Sequence, residues 1–293
     1  MKRVPFNYGG VSREYLLFAP STPCGLVVFL HGKGGTAIWA DRETGWSQLA
    51  IQEEFALAIP EGLPPHPLQP SNFLSNPPRW NDGSKSDRSN KTEASTTDIG
   101  LSSSAIEEPD DVGFLTAVLD DVANRLGAEP RRVFMAGFSN GAGMTFRFAA
   151  ERANRIAAIA LVAGHCWVAE PKPVRPVPTL YVVGTVDPLI PLRGGDVRNP
   201  WTHRLIHRPP VSDTLERWAH AIGCSDIPVT ESDQGGVQMD IYPGPVPYQS
   251  VSIGGLGHHW PGGKRQLNPR IAGTPSDAIN GTELVWEFFK QFV

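Results

Sequence analysis

The chain has 293 residues, of which 40% are hydrophobic and 19% are charged, and this length suffices for one large α/β domain with a buried core. There are 26 basic and 30 acidic residues, for a net charge of −4, and no basic cluster long enough to form a phosphate-binding stripe. We therefore expect no nucleic-acid partner. The longest apolar runs are too short to cross a bilayer, so we also expect no membrane association.

The three cysteines, Cys24, Cys166 and Cys224, lie far apart and have no C-x-x-C spacing. Neither a zinc site nor a disulfide framework is therefore predicted, although one disulfide with a spare thiol is an alternative. Residues 1–5 lack the apolar segment of a signal peptide. We expect a cytoplasmic protein, or a secreted one whose leader is absent from this sequence. No feature of the sequence indicates an oligomeric state.

Strands and helices alternate from the start of the chain. Apolar runs predict buried strands at 25–30 and 55–59, with a short helix over 46–54 between them. After a long interruption, apolar residues at spacings of three and four from Asp110 onward predict an amphipathic helix that ends at Gly127.

The interruption is an irregular insertion at about 61–109. It is first rich in proline and then, over 84–104, rich in serine, threonine and asparagine, so no regular element is predicted there. Long irregular connections inside a compact domain are usually functional rims or mobile segments. We expect part of the insertion to lie near the active site and 84–104 to be mobile.

The second half of the chain continues the alternation. Strands are predicted at 132–136, 156–162, 179–184 and 249–253, and helices at 141–150, 213–222 and 282–292. Asp213 and Glu216 form a capping box for the middle helix, and Gly235-Gly236 predicts a late hairpin. The pattern predicts a single α/β domain over 1–293, with a mostly parallel central sheet and helices on both faces.

Residues 137–141 read Gly-Phe-Ser-Asn-Gly, the pattern G-x-S-x-G, directly after the apolar strand at 132–136. A sharp strand-to-helix turn exposes the serine hydroxyl, and its tight backbone requires small residues at the two glycine positions. The amides at the start of the following helix would face the reacting centre. Ser139 is therefore the candidate nucleophile.

A serine hydroxyl needs a histidine base and an acid that orients this histidine, in the order Ser, Asp/Glu, His for such a turn. Asp187 follows the strand at 179–184 through a short turn, so its carboxylate is expected at the strand's carboxyl edge, where ligands collect. Asp196, which lies in an apparent loop beyond two glycines, is the nearest rival.

The base is expected in the glycine-rich loop after the last strand. His258 is our choice, and His259 is the reserve, because glycines allow this loop to approach Ser139 closely. Three other histidines satisfy the order but lie in a helix or in an arginine- and proline-rich segment, where structural roles are more typical: His203, His207 and His220.

Two backbone amides should stabilise the oxyanion of the tetrahedral intermediate. One is the amide of Asn140, directly after the nucleophile. The other is expected from the glycine-rich loop after the strand at 25–30, with the Lys33 amide as our choice and Gly32 or Gly34 as alternatives. His31 in the same loop is more typical of a bracing residue than of a proton carrier.

Aromatic residues near the motif ends are candidates for substrate contact in a cleft for aryl or polyester acyl groups. Packing in the core is the competing interpretation for each of them. With the reserve histidine they are Trp260, Trp80, Phe138, Trp167 and His259.

Several segments match a known family together: 30–32 (Leu-His-Gly), 80–83 (Trp-Asn-Asp-Gly), 110–114 (Asp-Asp-Val-Gly-Phe), 137–141, 184–188 (Gly-Thr-Val-Asp-Pro) and 257–262 (Gly-His-His-Trp-Pro-Gly). With these motifs the chain resembles the α/β-hydrolase superfamily and, within it, the polyhydroxybutyrate depolymerase and feruloyl or acetylxylan esterase-like group. The resemblance implies a Ser139, Asp187, His258 triad and esterase activity without metal or organic cofactor. The stretch between the second and third motifs is longer than the family pattern.

The predicted function is carboxylic ester hydrolysis through an acyl-enzyme, on soluble aryl, feruloyl, acetyl or short hydroxyalkanoate esters. The partner is thus a small-molecule or oligomeric ester. A serine peptidase with the same triad is one alternative. A non-catalytic binding protein that keeps the hydrolase fold is another.

Overall fold

A computed structural model describes residues 1–84, 108–127, 132–264 and 267–293. Its strands are β1 Lys2–Tyr8, β2 Val11–Phe18, β3 Leu26–Leu30, β4 Ala56–Pro60, β5 Val133–Phe138, β6 Ala158–Val162, β7 Thr179–Gly184, β8 Gly195–Arg198, β9 Leu205–Arg208, β10 Val229–Gln234, β11 Val237–Ile241 and β12 Tyr248–Ile253. Its helices are α1 Ala37–Thr44, α2 Trp46–Glu53, α3 Asp111–Leu126, α4 Asn140–Arg152, α5 Val211–Ile222, α6 Pro269–Ala272 and α7 Gly281–Lys290, with a 3₁₀ turn at Ala153–Arg155.

The centre of the molecule is a ten-stranded sheet in the order β1-β2-β4-β3-β5-β6-β7-β12-β11-β10. The strands from β4 through β12 in this order run parallel, and the pairs at both edges run antiparallel. Strands β8 and β9 form a separate hairpin. The predicted mostly parallel sheet is confirmed, and so is the late hairpin, as β10 and β11.

Helices cover both faces of the sheet, as predicted. One core includes side chains of α3, α4 and α5, such as Val118, Phe146 and Trp218. The other includes side chains of α1, α2 and α7, such as Trp46 and Phe289. Every residue of β3, β4, β6 and β7 is buried, which explains why these strands read as continuous apolar runs rather than alternating ones.

The parallel register brings the carboxyl ends of the central strands to one edge of the sheet. Phe138 at the end of β5 pairs with Val162 of β6, and Ile253 at the end of β12 pairs with Gly184 of β7. Loops that leave this edge collect ligands and catalytic groups in open α/β sheets. The loops after β3, β5, β7 and β12 are the ones that carry the candidate residues.

One local prediction requires correction, and two elements were not predicted. Helix α5 begins at Val211 rather than Asp213, and no side chain caps it. Pro210 precedes it, and proline suits a helix start because its missing N–H would have no helical partner there. Helix α1 and the β1–β2 hairpin were not predicted. Strand β1 buries only one of its seven residues, so its sequence gives almost no apolar pattern.

The insertion is described at its two ends, 61–84 and 108–109. The first end contains only isolated bridges, Leu63 with Arg79 and Asn72 with Asn76, in accord with the predicted irregularity. The segment 84–104, predicted to be mobile, lies outside the described residues except for Ser84. Within the described ranges, no helix is long and apolar enough to span a bilayer.

Candidate active site

Ser139 occupies a strained turn between β5 and α4. Its φ of 55° and ψ of −118° are unusual for a residue with a side chain, and such strain is concentrated at functional sites. A Cβ at Gly137 would clash with the Gly141 carbonyl oxygen, and one at Gly141 would clash with the Leu30 carbonyl oxygen. The two glycines of the motif are therefore required by the backbone of the turn itself and by β3 beside it.

The structure brings Ser139, His258 and Asp187 together in one hydrogen-bonded chain. The Ser139 hydroxyl lies 2.9 Å from Nε2 of His258, and Nδ1 of the same ring lies 2.7 Å from Oδ2 of Asp187. His258 follows β12 and Asp187 follows β7, so adjacent parallel strands position the two side chains. This is the geometry in which a histidine can accept a proton from a serine while a carboxylate orients its ring.

The carboxylate of Asp187 is buried, and backbone amides donate hydrogen bonds to it. Its Oδ1 accepts hydrogen bonds of 2.8 Å from the amides of both Leu189 and Ile190. Burial alone would raise the pKa of Asp187, but the charge and hydrogen bond of His258, together with these two amides, outweigh burial and lower the pKa. Asp187 is thus an anion at neutral pH and can stabilise a protonated His258.

The loop after β3 approaches the turn of Ser139 closely. A Cβ at Gly32 would lie 3.2 Å from Cβ of Ser139. The amide of Gly34 donates a hydrogen bond of 2.7 Å to the carbonyl of Pro78. Its N–H is therefore engaged and is not available to stabilise an oxyanion. Of the predicted donors in this loop, Lys33 and Gly32 are left. The other predicted donor is the amide of Asn140, the first residue of α4, which directly follows the nucleophile.

Two cavities meet at Ser139. We call the first, of about 590 Å³, the basic cavity; its lining includes Arg79, Arg198, Arg208, Asp82, His165 and Trp167. We call the second, of about 690 Å³, the apolar cavity; its lining includes Phe73, Leu74, Phe138, Leu267, Ile271 and His258. Both are also lined by Lys33, Ser139, Leu189 and Trp201. An ester bound at Ser139 can therefore extend to either side.

The chain is similar to known esterases in sequence and in fold. No family model matches the chain. NocK of Nocardia uniformis subsp. tsuyamanensis, named as an esterase, is 28% identical over 302 aligned positions, which cover 95% of this chain and 79% of NocK. The acetyl xylan esterase from Aspergillus awamori superposes with a TM-score of 0.55 at 16% identity, covering 84% of this chain and 89% of that one. The chain has the α/β-hydrolase fold.

The chain also shares sequence with part of feruloyl esterase B of Piromyces equi. The two are 26% identical over 201 residues, which cover 63% of this chain and 32% of the relative. The chain thus spans about a third of that protein's length. The predicted resemblance to esterases of this superfamily is confirmed by these relatives.

The predicted substrate contacts divide into two groups in the structure. Trp80 and Trp167 line the basic cavity, and Phe138 lines the apolar one. Trp260 and His259 line neither cavity, which corrects their prediction. Trp260 is 2% exposed, packs its ring 5.2 Å from that of Phe29 and donates to the Thr282 hydroxyl. Nε2 of His259 lies 2.9 Å from the carbonyl oxygen of Gly273.

His31 is the first residue of the loop that follows β3, and its side chain is buried. Its Nδ1 lies 2.8 Å from the Gly32 carbonyl oxygen, and its Nε2 accepts a hydrogen bond from the Gly62 amide. Burial lowers its pKa to about 4, so the ring is neutral at neutral pH. The ring therefore ties the loop to the start of the insertion.

Sequence reasoning did not foresee a hydrogen-bonded cluster between the nucleophile turn and the insertion. Oδ1 of Asn140 accepts from the Trp80 amide at 2.7 Å, and Nδ2 donates to the Trp80 carbonyl at 3.1 Å and to Oδ2 of Asp82 at 2.7 Å. Burial raises the pKa of Asp82. The Trp-Asn-Asp-Gly motif at 80–83 was the signal in the sequence, since it placed an acid and an aromatic together.

The rival triad members have partners of their own. His207 pairs with Asp196 at 3.0 Å on the exposed β8–β9 hairpin, and His220 pairs with Asp226 at 2.9 Å.

Cys24, Cys166 and Cys224 are free thiols, and burial raises the pKa of each. In the part of the chain that the structure describes, no group of three or more His, Cys, Asp or Glu side chains could hold a metal ion.

Proposed function

We propose that this α/β-hydrolase is a serine carboxylic ester hydrolase that acts through Ser139, His258 and Asp187 and an acyl-enzyme. The observation that carries the proposal is the continuous pair of hydrogen bonds, 2.9 Å and 2.7 Å, through the two nitrogens of His258. The esterase relatives support ester hydrolysis as the reaction class.

In the first half of the reaction, the Ser139 oxygen attacks the ester carbonyl while Nε2 of His258 takes the hydroxyl proton. The imidazolium that results is stabilised by the ionised carboxylate of Asp187. The negative oxygen of the tetrahedral intermediate is held by the Asn140 amide and by an amide of the loop after β3, with Lys33 as our assignment. Each such donor is typically worth about a hundred- to a thousandfold in rate.

The intermediate collapses when His258 returns its proton to the oxygen of the departing alcohol, which leaves an acyl group on Ser139. Water then enters, and its oxygen attacks the acyl carbonyl while Nε2 of His258 takes one of its protons. The bond between the acyl carbon and the Ser139 oxygen then breaks, His258 returns the proton to that oxygen, and the acid leaves. The reaction consumes one ester and one water and releases one acid and one alcohol. It needs no redox cofactor.

For the substrate we propose soluble aryl, feruloyl, acetyl or short hydroxyalkanoate esters. Cavities of about 590 and 690 Å³ on the two sides of Ser139 are large enough for small-molecule groups on both the acyl and the alcohol side.

We also propose that the chain folds as one domain over 1–293 with the insertion at about 61–109 at its active site, since Phe73, Arg79 and Trp80 of this segment line the cavities.

Hydrolysis of 4-nitrophenyl butyrate tests the proposal. Ser139→Ala should lower kcat by about 10⁴-fold or more, because it removes the atom that becomes acylated. Ser212→Ala is the matched control, since Ser212 is exposed on α5 and lines neither cavity. A Ser139→Ala protein with unchanged kcat would refute the nucleophile. A comparison of an aminoacyl naphthylamide with naphthyl acetate separates the esterase from a peptidase.

A further inference from the structure

The oxyanion hole proposed for this site takes its two amides from different loops. One amide belongs to the loop after β3, and the other is that of Asn140 at the start of α4. Such donors stabilise an oxyanion only when they are already held at the right positions. A displacement of about 1 Å in an active site can cost about a hundredfold in rate. The contacts that join the two loops are therefore expected to affect catalysis.

One short segment of the insertion is hydrogen-bonded to the loop after β3 at two points. The indole Nε1 of Trp80 donates a hydrogen bond of 2.9 Å to the carbonyl oxygen of His31. Earlier in the same segment, the carbonyl oxygen of Pro78 accepts a hydrogen bond of 2.7 Å from the Gly34 amide. Trp80 is 2% exposed, so water does not compete for its indole N–H. A hydrogen bond in such a buried environment is stronger than one in water.

The two hydrogen bonds enclose the remaining candidates for the oxyanion donor of this loop. Gly32 and Lys33 are the residues that lie between His31 and Gly34. The amide of Gly32 belongs to the same planar peptide unit as the His31 carbonyl, so a contact that fixes this carbonyl also fixes the direction of the amide. The amide of Lys33 follows one peptide unit later. The indole of Trp80 thus limits the positions that either amide can take.

Trp80 also holds the start of α4, through its backbone. Its amide donates a hydrogen bond of 2.7 Å to Oδ1 of Asn140, and its carbonyl accepts one of 3.1 Å from Nδ2 of the same side chain. A Cβ at Gly141 would clash with the carbonyl oxygen of His31, so the two loops also pack directly against each other at the atom that the indole contacts. One residue therefore contacts both loops of the proposed oxyanion hole.

The backbone next to Trp80 is held by contacts that do not involve the indole. The amide of Asn81 donates a hydrogen bond of 2.7 Å to Oδ2 of Asp111, and its carbonyl accepts one of 2.7 Å from Arg147. Asp111 is buried and pairs with Arg13 at 2.6 Å. Loss of the indole N–H should therefore free the His31 carbonyl without releasing the segment as a whole.

We propose that Trp80 is a positioning residue whose indole N–H orients the oxyanion donor of the loop after β3 relative to the Asn140 amide. This role rests on the proposed function and deepens it. It differs from the role of a substrate contact, which acts on ground-state binding and hence on KM. A residue that positions the oxyanion donors acts on kcat, because the oxyanion develops in the transition states of both halves of the reaction.

Trp80→Phe removes the N–H and keeps a buried aromatic ring. With 4-nitrophenyl butyrate, kcat should fall by about tenfold or more, while KM should change by less than about threefold. Acylation and deacylation should slow together, because each forms an oxyanion. The inhibition constant of 1,1,1-trifluoropentan-2-one should also rise by about tenfold or more, because this ketone adds to Ser139 and becomes an oxyanion itself.

Trp218→Phe is the matched control. Trp218 is fully buried on α5, its Nε1 donates a hydrogen bond of 2.9 Å to the Thr179 hydroxyl, and it lines neither cavity. The control thus loses the same kind of buried hydrogen bond at a distance from the site. Its kcat and its inhibition constant should stay within about twofold of the wild type. An equal loss of kcat in both variants would overturn the proposal, because the loss would then be a general effect of instability.

Three further results would overturn the role of Trp80 and leave ester hydrolysis intact. They are an unchanged kcat in Trp80→Phe, a higher KM at unchanged kcat, and a lower kcat at an unchanged inhibition constant. If the wild type does not hydrolyse 4-nitrophenyl butyrate, the proposed function fails and the positioning role fails with it. Should Trp80→Phe not fold, 3-benzothienylalanine at position 80 exchanges only the N–H for sulfur, and the same two constants decide.

Discussion

The side-chain amide of Asn140 donates a hydrogen bond of 2.7 Å to the carboxylate of Asp82. Asn140 directly follows the nucleophile, and Asp82 belongs to the insertion, 58 residues earlier. The same amide group also exchanges two hydrogen bonds with the backbone of Trp80. The insertion thereby positions the start of α4, whose first amide is our proposed oxyanion donor.

Asn140→Ala should therefore lower kcat by about tenfold or more and destabilise the protein by about 1 to 3 kcal/mol. The loss of stability follows because the buried amide of Trp80 loses its acceptor. Asp82→Asn keeps an acceptor for Asn140 and should have the smaller effect on kcat. Steady-state kinetics and urea unfolding measure both quantities. An Asn140→Ala protein with wild-type kcat would show that this contact does not support the oxyanion donor.

Asp187→Asn should lower kcat by about 10⁴-fold while the protein stays folded. The asparagine oxygen can still accept from the amides of Leu189 and Ile190, but its amide group donates to Nδ1 of His258 and so favours the wrong tautomer. Circular dichroism checks the fold, and hydrolysis of 4-nitrophenyl butyrate gives kcat. A loss of less than tenfold would contradict the role of Asp187 as the orienting acid.

The types and order of the candidate catalytic residues were predictable because each follows the carboxyl end of an apolar strand. Ser139, Asp187 and His258 all lie in loops at that edge, and the apolar runs of β5, β7 and β12 identify it. Side-chain directions within a loop were not predictable. Trp260, two residues after His258, turns into the core because a large apolar cluster lies beneath it.

Contacts between distant segments of the chain could not be predicted from the sequence either. The Asn140 cluster depends on where the insertion folds back, and no pattern in a proline-rich segment specifies that path. The β8–β9 hairpin was missed because its strands have four residues each and together bury only one of their eight residues. Yet this hairpin and the loop within it supply Arg208 and Trp201, two of the residues that line the cavities.

Trp201 lines both cavities, as Ser139 does, and we expect its ring to separate them. Its Nε1 donates to the Phe73 carbonyl at 2.7 Å, and Nζ of Lys33 lies 4.5 Å from its ring centre. Trp201→Ala should merge the cavities and raise the ratio of kcat/KM for 4-nitrophenyl decanoate over that for the butyrate by about fivefold to tenfold. Trp201→Phe keeps an aromatic ring and should leave the ratio near wild type. An unchanged ratio in the alanine variant would contradict the separating role.

The pH dependence of stability should carry a contribution from Glu61. Its Oε2 accepts a hydrogen bond of 2.6 Å from the Ala37 amide at the start of α1, and burial raises its pKa from 4.5 to about 7. The folded protein thus holds this proton more tightly than the unfolded chain does. Between about pH 4.5 and 7 the contribution to the free energy of unfolding therefore falls as pH rises.

Glu61→Gln lacks this titration. The free energy of unfolding of the wild type relative to Glu61→Gln should fall by about 1 to 3 kcal/mol between pH 4.5 and 7. Urea unfolding at intervals across this range measures it, with the exposed Glu231→Gln as control. Parallel profiles for wild type and Glu61→Gln would show that the carboxyl group titrates alike in both states.

The most direct test of the central claim is the covalent adduct at the nucleophile. A fluorophosphonate should inactivate the enzyme, and mass spectrometry of the digested protein should locate a single adduct on the peptide that contains Ser139. The adduct should be absent from Ser139→Ala and strongly reduced in His258→Ala, since the base activates the hydroxyl. An adduct on another residue that accompanies the loss of activity, or a Ser139→Ala protein that is still inactivated, would contradict the account.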